Sequence, residues 1–73
     1  MRRFEDAEGR RWEVIVGRAS WGAFQLLFVP EGGGETRQVH LEAVSAAEAE
    51  RALSGLSDEE LREHFLDSRP REH

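Results

Sequence analysis

Seventy-three residues carrying a net charge of −5 make one small domain, and a globule of this size buries only about 60% of the surface its unfolded chain exposes. With no cysteine the chain has no disulfide, no thiolate nucleophile and no sulfur-ligated zinc, so it must fold on apolar burial alone. No run of about 18 apolar residues is present to span a bilayer, and no apolar stretch follows the arginines of MRRFEDAEGRRW, which sets the expectation of a soluble, cytoplasmic protein with no membrane partner.

All ten basic side chains are arginine. From Ser45 onward eight acids face four arginines, against seven and six in residues 1–44, so the acidity sits in the last third. A net acidic chain is a poor nonspecific binder of nucleic acid, because phosphate contacts supply most of that affinity.

The first segment, RFEDAEGRRWEVIVG, alternates: Phe4, Trp12, Val14 and Val16 share one parity. DAEG at 6–9 suits a type I turn followed by glycine in the left-handed region, the three-residue hairpin loop with a bulge. That turn places Phe4 opposite Trp12, Glu5 opposite Arg11 and Arg3 opposite Glu13. One face then gains an aromatic pair and the other two opposite-charge pairs. A third strand is expected over Ala23–Val29 with Phe24, Leu26 and Phe28 inward, ended by Pro30 and the glycines at 32–34. A fourth, TRQVHLEAV, offers Val39, Leu41 and Ala43 to the same core. Short connections favour an antiparallel meander.

Two helices announce their starts. SAAE at 45–48 and SDEE at 57–60 both fit the capping box. Leu56 and Leu61 are placed for a hydrophobic staple, and Gly55 can close the first helix in the left-handed conformation. Ala46, Ala49, Leu53 and Leu56 form one apolar stripe, and Leu61 and Phe65, with Leu66 beside them, form another. Pro70 breaks helix, so residues 69–73 read as a flexible tail after a domain spanning 1–68. The expected fold is α+β, a four-stranded antiparallel meander with two short C-terminal helices packed on one face (ββββαα). A small, partly closed β-barrel with C-terminal helices is the alternative.

The pattern offers no chemistry. Ser45 and Ser57 are explained as helix caps, Ser54 and Ser68 as helix-end and tail residues, and Ser20 as a turn residue without a histidine near it in sequence. His40, His64 and His73 have no ligand spacing. The acids at 58–60 suit the helix dipole. EGGGE lacks the Lys-Ser/Thr of a phosphate loop and is flanked by acids. The chain is therefore read as a non-enzyme without cofactor or metal.

A surface is left. The second sheet face carries Ile15, Leu27 and Val29 with Ala23, an apolar island rimmed by charge and by His40. A contiguous patch on so small a domain suggests a protein contact, including a homodimer formed sheet to sheet. Trp21 stands outside both strand alternations on the connecting turn, three residues after Arg18, and two readings stay open: it caps the open end of the core, or it anchors a partner. The sequence thus points to a small adaptor or regulatory module binding a protein, or itself, through Ile15, Leu27, Val29, His40, Arg18 and Trp21. The alternative is a binder of single-stranded nucleic acid through arginines and tryptophans on the hairpin turns.

Overall fold

In the computed structural model, which describes residues 2–19 and 22–71, five strands form one open antiparallel sheet in chain order. They are β1 (Arg2–Glu5), β2 (Arg11–Arg18), β3 (Phe24–Pro30), β4 (Arg37–Leu41) and β5 (Arg69–Pro70), with helices α1 (Ala46–Gly55) and α2 (Asp58–Asp67) between β4 and β5. The α+β expectation holds, and the barrel alternative does not, because β1 and β5 stay apart as the two sheet edges.

The first hairpin has the register that turn chemistry and parity dictate: Arg3 faces Glu13, Phe4 faces Trp12 and Glu5 faces Arg11. Gly9 adopts φ +82°, and its N–H donates to Asp6 O at 3.0 Å. Asp6 holds the loop from inside. Its carboxylate accepts from the amides of Glu8 and Arg10, each at 2.9 Å, and from the Trp12 indole at 3.0 Å. The turn is thereby tied to the core.

Phe4, Trp12, Val14, Phe24, Leu26, Phe28 and Leu41 line the covered sheet face, and Ala49, Leu53 and Leu61 meet them from the helices. Phe65 completes the cluster, its ring centroid 4.9 Å from Trp12, 5.3 Å from Phe4 and 5.2 Å from Phe28. Ala46 and Leu66, assigned to the apolar stripes, are exposed. Ser57 and Glu60 form the full reciprocal capping box, whereas Ser45 makes only its own half, accepting from Glu48 N at 3.1 Å. The Ser57 amide and hydroxyl hold the Glu60 carboxyl below its ordinary pKa. Gly55 is not left-handed; α1 ends instead at an extended Leu56 whose N–H returns to Leu53 O.

The segment read as a tail from residue 69 contains β5. Arg69 and Pro70 pair with Gln38 and Arg37, and Arg71 N–H donates to Thr36 O at 2.8 Å. The guanidinium of Arg37, half-buried on the covered face, donates to Ser68 Oγ at 2.8 Å and to Ser68 O, and lies over the Phe65 ring. That clamp delivers the chain from the end of α2 to the edge of β4. Deleting residues 69–73 should therefore lower the melting temperature by roughly 4–8 °C, the shift that about 1 kcal/mol produces in a domain of this length. An unchanged melt would show that β5 contributes nothing.

Candidate functional site

Cross-strand register assigns the uncovered sheet face directly. Ile15, Leu27, Gln38 and Arg69 form one row across β2 to β5; Arg3, Glu13 and Val29 form a second, and Gly17, Gln25 and His40 a third. The structure thus brings Ile15, Leu27, Val29 and His40 to one surface. Ile15 and Val29 are half-buried, and His40 is exposed with Nε2 3.7 Å from a Glu42 carboxylate oxygen.

Leu27 differs from its neighbours. Although nothing in the described residues packs over this face as a second layer, Leu27 is only 7% exposed. The cause is Gly17, diagonally across on β2: a Cβ built there would meet Leu27 Cδ1 at 2.7 Å and Cγ at 2.9 Å. The leucine lies flat in the space the glycine leaves and closes it from its own side. The face therefore presents a shallow aliphatic floor of Ile15 and Val29 around a leucine already largely covered.

Arg18 lies elsewhere. It pairs with Phe24, has the parity of the covered face, and holds its guanidinium carbon 4.7 Å from the centre of the Phe24 ring. The cation shields the aromatic edge of the core, which explains a charged residue at an inward position. Ser20 and Trp21 lie outside the described residues, as does His73. On either side of that segment, Ala19 N–H donates to Ala23 O at 2.8 Å and Gly22 N–H to Ala19 O at 2.9 Å.

The charge of the molecule is layered. α1 and α2 contain seven acids and two arginines, while the rest of the chain has eight of each, so the net −5 belongs to the helices. The uncovered sheet face carries charges of both signs, Arg3, Arg11 and Arg69 beside Glu5, Glu13 and Glu31, with Glu42 next to His40. Only weak pairing links them; Arg3 Nε is 3.9 Å from Glu31.

A second concavity, of about 450 Å³, opens where the first hairpin, α2 and β5 meet, with Trp12, Phe65, Leu66 and Pro70 on its walls. Leu66 is 75% exposed there, the exposed aliphatic that places α2 at this rim. The signal for it was Leu66 falling next to the Leu61–Phe65 stripe. Arg10 spans the opposite lip: its guanidinium lies 4.9 Å from the Trp12 ring centre and donates to Gly33 O at 2.9 Å. Gly32, Gly33 and Gly34 all have positive φ, and a Cβ on Gly34 would sit 2.5 Å from the same guanidinium. The glycine loop is shaped around an arginine.

Arg2, Arg10 and Arg18, the arginines at strand ends and turns, are dispersed and engaged. Arg2 donates to Leu53 O at 2.8 Å and reaches Asp58, Arg10 holds the glycine loop, and Arg18 covers Phe24. Among the described residues no three His, Cys, Asp or Glu side chains gather as metal ligands, and no helix is long and apolar enough to cross a membrane. Comparisons of the chain with family models, curated proteins and solved structures give no match.

Proposed function

We propose that this domain is a non-enzymatic interaction module whose contact surface is the uncovered sheet face, extended by the Trp21 turn. The observation that carries the reading is an aliphatic floor of half-buried Ile15 and Val29 around Leu27, rimmed by charges of both signs, on a sheet face that no other described element covers. Charged rims give register and suppress wrong partners, while the desolvated centre supplies affinity. The partner it fits is a protein presenting an uncharged aliphatic patch. The helical layer, with the whole negative excess, is suited to face solvent.

The test is capture of the partner from the native host by tagged wild type, then affinity for the purified partner. Val29→Glu should weaken binding at least tenfold without unfolding the domain, since Val29 is only half-buried. Trp21→Ala should weaken it as well. Leu27→Glu is unsuitable because Leu27 is already buried over Gly17. Undiminished binding by both variants would overturn the proposal. So would affinity for a single-stranded oligonucleotide that falls steeply with salt and is lost in Arg18→Ala.

A further inference from the structure

The open edge of β1 presents backbone groups, while the side chains of its Arg3 and Glu5 belong to the rim of the uncovered face. Asp6 N–H donates to Arg10 O at 2.9 Å, which makes 6:10, 4:12 and 2:14 the hydrogen-bonded pairs of the first hairpin. The backbone N–H and C=O of Arg3 and Glu5 therefore point away from β2. No described residue bonds to them, and β1 is an end strand of the sheet.

Along this edge runs Arg2-Arg3-Phe4-Glu5-Asp6, two positive charges, a neutral centre and two negative charges. The order is antisymmetric about Phe4. Edges protected against self-pairing carry charges that repel in register; this one does the reverse. We infer that β1 is a self-complementary edge that pairs antiparallel with β1 of a second copy of this chain, about a two-fold axis at Phe4.

In that register Arg3 faces Glu5 of the second copy and Glu5 faces its Arg3. The backbone groups of residues 3 and 5, which point outward, meet each other as hydrogen-bonded pairs. Slipping by two residues in either direction puts Arg3 opposite Arg3 or Glu5 opposite Glu5, which like-charge repulsion disfavours. The charges continue across the seam: Glu13, Arg3, then Glu5 and Arg11 of the second copy alternate in sign, and the two-fold repeats the row. The Arg3 side chain is 78% exposed and Glu5 is exposed, so both are available. Arg2 and Asp6 keep their own partners, Leu53 O with Asp58 and Trp12 with the turn amides, and add only to the field.

One short strand per copy falls well below the roughly 800 Å² per partner of a standard interface. The association is weak, reversible and weakened by salt. Sedimentation velocity over a concentration series should show monomer–dimer exchange for the wild type. Arg3→Glu and Glu5→Arg each create two like-charge pairs by symmetry and should each weaken self-association about tenfold, while an equimolar mixture of the two variants should recover it as a mixed dimer. Glu5→Pro removes an outward N–H, leaves the hairpin pairing and its circular dichroism intact, and should be monomeric. Val29→Glu should dimerise like wild type, which separates this interface from the sheet-face proposal. A wild type that is monomeric at about 1 mM, a dimer that survives Glu5→Pro, or a mixture no tighter than its components would each overturn the inference.

Discussion

Phe28→Ala should lower the free energy of unfolding by about 3–5 kcal/mol, the cost of truncating a fully buried phenylalanine. Phe28 has no exposed surface and occupies the middle of the central strand, between Val14 and Arg37 in register. Its ring centroid is 5.8 Å from Phe4 and 5.2 Å from Phe65, both near edge-to-face. The loss therefore leaves a cavity bordered by rings from β1 and α2 that cannot collapse without separating the helix from the sheet. Domains of this size lie near the low end of the usual stability range of about 5–15 kcal/mol, so the variant should be substantially unfolded at room temperature. Urea titration of both proteins measures the difference, and a loss below about 1 kcal/mol would mean that α2 closes onto the sheet without the ring.

Asp6→Ala should cost about 1–3 kcal/mol, because one side chain serves two turn amides and the Trp12 indole, and its removal leaves that indole N–H without its acceptor. Burial alone would raise the Asp6 pKa. The bonds from Trp12, Arg10 and Glu8 and the nearby Arg10 charge outweigh it and hold the carboxyl below its ordinary value. A depressed folded-state pKa contributes stability at pH above the unfolded value of about 3.9, and that contribution disappears as pH falls through the folded-state value. The wild-type advantage over Asp6→Ala should be constant from neutral pH to about 5 and shrink below about 4. A gap that stays the same at pH 3 and pH 7 would remove the carboxylate from the account.

The first hairpin was legible because three independent signals agreed. Gly9 and Asp6 fixed the turn, Phe4 and Trp12 fixed the inward parity, and Arg3, Glu5, Arg11 and Glu13 fixed the outward one. The cap of α2 was legible for the same reason, since Ser57 and Glu60 satisfy each other locally. β5 was not, because two residues that include a proline have no periodicity; its position is set by Arg37 and Thr36, distant in sequence. Arg18 and Arg37 were also opaque: a charged residue on an inward parity reads as an interruption, whereas each lays its guanidinium over a phenylalanine ring. The apolar island was legible as an alternation, but the burial of Leu27 depended on a diagonal glycine that strand patterns treat only as a weakness.

That diagonal contact makes two positions one unit of evolutionary change. Strand interiors ordinarily gain from replacing glycine with a β-branched residue, yet at position 17 any side chain must displace Leu27 from its seat. A relative of this chain that carries valine or threonine at 17 should carry a smaller residue than leucine at 27. The two positions are coupled, and the shape of the aliphatic floor is inherited as a pair.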